Sequence, residues 1–159
     1  MRKLKLYLDT SVISHLFAED VPDKMQDTLD FWEDLKSGKY EIIISTLVLE
    51  EINKSSEPKR ANMLLALEDI NYKTVPLDLE IEKIAREIVN RGILTEKSLD
   101  DCRHIATAVV EDCSFIISWN FKHIVKRKTI SGVREITISK NHRSMDIYSP
   151  TIFLDREEL

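Results

Sequence analysis

KLYLDTSVISHLF, residues 5–17, reads as a short buried strand that ends on an aspartate and passes into a helix. Lys5–Asp9 carries the strand, and Val12, Ile13, Leu16 and Phe17 then recur at helical spacing. The same grammar returns downstream. Glu41–Ser45 (EIIIS) is a second buried strand. The helix after it is capped near Ser45 or Thr46 and turns Val48, Leu49 and Ile52 inward. Tyr72–Val75 and Ser114–Ile117 read as further short strands, and Arg134–Ile138 as the last. The strands lack the polar alternation of a half-exposed sheet and are separated by helices. The pattern predicts a three-layer α/β/α fold with a mainly parallel central sheet. Ligands of such folds bind beyond the carboxyl ends of the strands.

The helices between these strands follow from apolar spacing and punctuation. Met25, Leu29, Trp32 and Leu35 mark one, closed near Gly38. Asn53–Arg60 is a polar loop containing Pro58, and Met63–Ile70 reads as helix. Asp78 caps a helix with Ile81, Ile84, Ala85, Ile88 and Val89 on one face, stopped at Gly92. Ser98 caps another that runs to about Asp112. Its apolar face holds Cys102, Ile105, Ala106, Val109 and Val110. Phe121–Lys126 is expected to be a short helix, and the tail SPTIFL a turn with a docked apolar segment.

The chain length of 159 residues suits a single domain over 1–159, large enough to bury one substantial core. Hydrophobic residues make up 43% and charged residues 32%, ordinary for a globular protein. Uncharged runs such as Ile42–Leu49 fall far short of the roughly 20 residues a membrane span needs. The start, MRKLKLYLD, lacks the apolar stretch of about 7–15 residues of a signal peptide, so a cytoplasmic protein is expected. Cys102 and Cys113 both fall on one predicted helix. They would lie roughly 16 Å apart along its axis, too far for a disulfide, so reduced thiols are expected. The net charge of −5 excludes a bulk polycation, so any nucleic acid must be met by a local basic patch. Gly38, Gly92 and Gly132 lie far apart, which argues against P-loop and dinucleotide sites.

Three acids and one amide map to the carboxyl edge of this predicted sheet. Asp9 ends the first strand. Glu51 lies in the helix after the second. Asp101 sits in the first turn of the helix capped by Ser98, and Asn120 follows the strand Ser114–Ile117. Neighbouring carboxylates repel one another, and a divalent cation relieves the repulsion. Mg²⁺ and Mn²⁺ suit oxygen ligands of this kind. Lys122, His123, Lys126, Arg127 and Lys128 form a basic run just after Asn120, placed to meet backbone phosphates. Lys54, Lys59 and Arg60 are a second candidate rim. His104 and His123 are read as packing and hydrogen-bonding residues. Arg103 is read as a partner for Asp100 or Glu96.

The segments YLDTSVIS (7–14), STLVLEEI (45–52), LTEKSLDDCRHIATAVV (94–110) and FIISWNFKHIV (115–125), in that order, resemble the PIN-domain family. The likeness is to its toxin-like, VapC-type ribonuclease branch, and it runs on to the DIYSPTIFL tail. The resemblance implies an acidic Mg²⁺ or Mn²⁺ site from Asp9, Glu51 and Asp101, with Glu50 the alternative to Glu51. It implies Ser11 and Ser118 as supporting residues, and Asn120 at the position of a fourth acid. It also implies metal-assisted hydrolysis of RNA, for which the basic run offers Lys122, Lys126, Arg127 and Lys128 as candidate RNA-binding residues. The expected partners are a small antitoxin and a second copy in a homodimer. A degenerate scaffold that binds RNA or protein without cutting is the alternative. An aspartate-nucleophile phosphatase is disfavoured, because such enzymes usually carry a second Asp where this chain has Ser11.

Overall fold

A computed structural model describes residues 2–156. Five strands form one sheet: β1 (Leu4–Leu8), β2 (Tyr40–Ser45), β3 (Lys73–Val75), β4 (Phe115–Ile117) and β5 (Asp146–Tyr148). Their order is β3-β2-β1-β4-β5, and every neighbouring pair is parallel. β1 lies in the middle, with Leu6 opposite Ile42 and Phe115, and Tyr7 opposite Ile43 and Ile116. Leu6, Tyr7 and Leu8 are all 0% exposed, as expected for a strand covered on both faces.

The chain first winds outward from β1 to β2 and β3. The helices on that path are α1 (Thr10–His15), α2 (Pro22–Lys36), α3 (Thr46–Asn53) and α4 (Lys59–Leu67). It then crosses back over β1 through α5 (Leu79–Asn90) and α6 (Leu99–Val110) to reach β4. α7 (Arg127–Ser139) leads on to β5, and α8 (Pro150–Leu154) closes the described chain. Right-handed crossovers put the outward helices on one face of the sheet and the return helices on the other. The direction of winding reverses between β1 and β4, which opens a crevice at their carboxyl ends.

Local signals explain most of these elements. The Asp78 side chain accepts from the Ile81 amide at 2.9 Å and starts α5, whose Ile81, Ile84, Ala85 and Ile88 are buried. Gly38 and Gly92 take left-handed φ of +79° and +74° where α2 and α5 end. Ser149 caps α8 through the Ile152 amide. α8 is the docked tail: Phe153 meets the rings of Phe31, Tyr40 and Phe115, each at 5.4 Å and edge-on. Cys102 and Cys113 are free and buried, and burial pushes both thiols up to about 12. Cys113 lies beyond the end of α6, in the turn before β4.

Cys102 and Cys113 therefore do not share a helix as expected, since α6 ends at Val110. Three further expectations need correction. Arg134–Ile138 is not a strand but part of α7. Its β-branched REITI invites a strand reading, yet Thr129, Gly132, Val133 and Ile136 bury one helical face and leave Ile138 74% exposed. The last strand is instead β5, three residues long. Phe121–Lys126 is a turn rather than a helix. The Asn120 carbonyl accepts from the amides of both Ile124 (2.9 Å) and Val125 (2.8 Å), and Lys126 then returns to extended backbone. The helix read over Met63–Ile70 begins earlier, at Lys59, so the preceding loop is shorter than Asn53–Arg60.

Candidate active site

Asp9 follows the carboxyl end of β1, beside β4, where the winding of the sheet reverses. This residue stands where α1 begins, but its side chain does not cap the helix. Oδ1 accepts from Ser11 Oγ and Oδ2 from Ser118 Oγ, each at 2.5 Å. Ser11 Oγ also accepts from the Trp119 amide, and Ser118 Oγ from the Asn120 amide, both at 2.9 Å. Two hydroxyls therefore tie the turn after β1 to the turn after β4, with a carboxylate between them. Asp9 is only 3% exposed, and burial raises its pKa above the ordinary aspartate value.

Glu51 reaches the same edge from α3. Its Oε1 accepts from Thr10 Oγ1 at 2.8 Å and from His104 Nε2 at 2.6 Å. Burial works to raise its pKa, but the His104 contact and the Thr10 hydroxyl bring it below the usual glutamate range. Glu50 is exposed and makes no side-chain hydrogen bond or ion pair among the described residues, whereas Glu51 is bonded to Thr10 and His104. Asp101, in the first turn of α6, accepts from Asn120 Nδ2 at 3.2 Å through Oδ1. Burial raises its pKa, and the charges of Asp9 and Glu51 add to the rise.

His104 lies one turn after Asp101 and is 2% exposed. Its Nδ1 meets the Tyr7 hydroxyl at 2.7 Å, and Tyr7 meets Ser45 Oγ at 2.9 Å. Burial works to lower the His104 pKa, yet the Glu51 hydrogen bond and the charges of Asp9, Glu51 and Asp101 raise it. All three acids are thus electrostatically coupled to one imidazole. The packing and hydrogen-bonding roles expected of His104 are both present. Thr10 was not singled out in the sequence, although its place between Asp9 and Ser11 was the available signal.

Asn120 has both ends of its amide engaged: Nδ2 on Asp101, and Oδ1 accepting from the His123 amide at 2.9 Å. Arg103 pairs with Glu82 (2.9 Å) and Asp100 (2.7 Å); Glu96 pairs instead with Arg86. Lys122, Arg127 and Lys128 are exposed and Lys126 half-buried, and none makes an ion pair among the described residues. His123, Lys126 and Lys128 share a cavity of about 160 Å³ with Thr95 and Ser98. Of the second rim, Arg60 is paired with Glu57 at 2.7 Å.

Among the described residues, no three or more His, Cys, Asp or Glu side chains are placed so that together they could hold a metal ion. The donor set still fits a hard cation. It consists of carboxylates, and neither Glu51 Oε2 nor Asp101 Oδ2 has a hydrogen-bond partner among the described residues. Mg²⁺ usually takes one or two carboxylates and completes its shell with water and substrate phosphate.

The family model of the PIN domain matches residues 6–124, which take in Asp9, Glu51 and Asp101 and run from within β1 to beyond β4. No curated protein matches in sequence. Among solved structures, one similar chain comes from VapBC2 of Rickettsia felis, crystallised with a DNA fragment from its promoter. The two share 15% identity with a TM-score of 0.55, over 92% of this chain and 98% of that one. At that identity the likeness concerns the fold. No described helix is long and apolar enough to cross a membrane. From the family match, over a sheet whose winding reverses at Asp9, the chain belongs to the PIN-domain family.

Proposed function

We propose that the protein is a metal-dependent ribonuclease, acting as the toxin component of a toxin–antitoxin pair. One observation carries the reading: Asp9, Glu51 and Asp101 all act on the imidazole of His104 at the switch point of a PIN fold, and among the described residues none of the three forms an ion pair with a lysine or arginine. Asp9 and Asp101 would hold Mg²⁺ or Mn²⁺ directly, and Glu51 directly or through water. The ion, when bound, lowers the pKa of a water and neutralises charge on the phosphate.

The chain's own residues supply position and charge. Ser11 and Ser118 hold Asp9 by both oxygens, and Asn120 holds Asp101. Lys122, Lys126, Arg127 and Lys128 have no acidic partner among the described residues, which supports a role in binding RNA phosphates. His123, Lys126, Lys128 and the cavity they share with Thr95 and Ser98 are the proposed phosphate rim. The unpaired strand of an RNA loop is the expected substrate, since its bases can be splayed into an open cleft. A small antitoxin and a homodimer partner complete the proposal.

Asn120 favours a second reading. It is an amide where a fourth carboxylate would stand, and its Oδ1 is already committed to the His123 amide. On that reading the protein is a degenerate scaffold that binds without cutting. Incubation of single-stranded RNA with the protein and Mn²⁺, with and without chelator, separates the two. Cleavage that stops with chelator, and in Asp9→Asn while the protein stays folded, is the expected result. Binding without cleavage selects the scaffold, and cleavage that survives both chelator and Asp9→Asn removes the site assignment.

A further inference from the structure

We propose that His104 is the positioning residue for Glu51, fixing one carboxylate oxygen so that the other is presented to the ion. The inference rests on the reading of Asp9, Glu51 and Asp101 as a metal centre. Glu51 needs such a device. It stands on an eight-residue helix with its side chain 33% exposed, and an unrestrained glutamate loses rotamer entropy when held in one place. Two donors converge on the same oxygen, Oε1: Thr10 Oγ1 at 2.8 Å and His104 Nε2 at 2.6 Å. Oε2 has no partner among the described residues, and is the oxygen left for a cation.

The donor is itself anchored. The His104 side chain is 3% exposed, and its other nitrogen is 2.7 Å from the hydroxyl of Tyr7, which is 0% exposed in the central strand. Tyr7 is bonded in turn to Ser45 at the end of β2. The result is an unbroken line of hydrogen bonds, Ser45–Tyr7–His104–Glu51, running from the rigid sheet to a mobile type of side chain. A carboxylate can only accept, so Nε2 carries a proton whether the ring is neutral or charged. The Nδ1–Tyr7 bond can run in either direction. The orientation of Glu51 therefore does not depend on the charge of the ring.

Groups that orient metal ligands typically contribute 10–100-fold to metal affinity. A histidine that only filled space would contribute none. The test is Mn²⁺ binding to the metal-free protein by calorimetry, with thermal melting followed in parallel. His104→Leu keeps most of the volume and loses the donor; its Mn²⁺ Kd is expected to rise about 10–100-fold. His104→Gln can place an amide N–H where Nε2 lies, and is expected to recover most of the loss. Unchanged affinity in a folded His104→Leu overturns the proposal, as does a Gln variant no better than Leu. If His104→Leu does not fold, Tyr7→Phe cuts the line one step earlier with almost no change in volume. A severalfold weaker Kd supports the proposal and an unchanged one overturns it. Absence of Mn²⁺ binding by the wild-type protein would instead overturn the metal centre itself, and this inference with it.

Discussion

Asp27 and Asp30, on α2, face Arg156 just beyond α8. The guanidinium lies 2.6 Å from Asp27 and also pairs with Asp30, and Thr151 donates to Asp27. Partial burial works the other way, but Thr151 and Arg156 hold the Asp27 carboxyl below its ordinary value near 3.8. Asp9 and Asp101 are treated in the opposite manner. They meet hydroxyls and an amide but no guanidinium, and burial raises both pKa values. The first region answers its acids with a cation built into the chain and uses the pairing to clasp a terminal helix. The second supplies hydrogen bonds that fix geometry while leaving most of the charge unanswered. Acids that serve docking are neutralised internally, whereas acids kept for a ligand are oriented and left short of positive charge.

The contrast breaks most visibly at Asp101. Asp101→Asn should leave the melting temperature of the metal-free protein unchanged or higher, because it removes a partly buried charge that Asp9 and Glu51 repel. It should also cancel the rise in melting temperature that Mn²⁺ gives the wild type, with cleavage falling on the order of 100-fold or more. A Mn²⁺-induced rise that persists in this variant would place the ion elsewhere. Ser11→Ala comes next. It strips a donor from buried Asp9 and an acceptor from the Trp119 amide, and should cost about 1–3 kcal/mol in denaturant unfolding. An equal cost from Arg156→Ala would erase the distinction between the two regions. That variant touches an exposed pair, so a loss of about 1 kcal/mol or less is expected, with Mn²⁺ affinity untouched.

The smallest effect is in pH. A depressed folded-state pKa makes the Asp27 contribution complete above the ordinary carboxylate value near 3.8, and removes it as pH falls through the lower folded value. The carboxyl carbon of Asp27, followed by NMR, should titrate below 3.8 in the wild type and move up toward it in Arg156→Ala. No movement would show that Arg156 is not what holds it.

Particular elements show how far reading from residues can go. β1, β2 and β4 were legible because each is an apolar run between a polar start and a hydroxyl, amide or acid. α5 was legible because its cap and its apolar period agree. α7 was misread because REITI satisfies β-branched preference and amphipathic helical spacing at once, and only packing chooses between them. β5 offers three residues, too few to show any period. In the crevice, the acids could be assigned to strand ends and helix starts from their local context. The contacts of Thr10 and His104 with Glu51 could not, since they join residues 41 and 53 positions apart.

Hydrophobic period, caps and turn residues are local properties, so the amino-acid order alone settled that strands alternate with helices and that acids follow the strands. Which oxygen of which acid is held, and by what, depends on how separate segments meet across the sheet. That was decided when the winding reversed beside β1 and brought the turn after β4 and the start of α6 against Asp9 and Glu51. Hydrogen bonds act over about 3 Å, and only the folded chain brings distant residues that close.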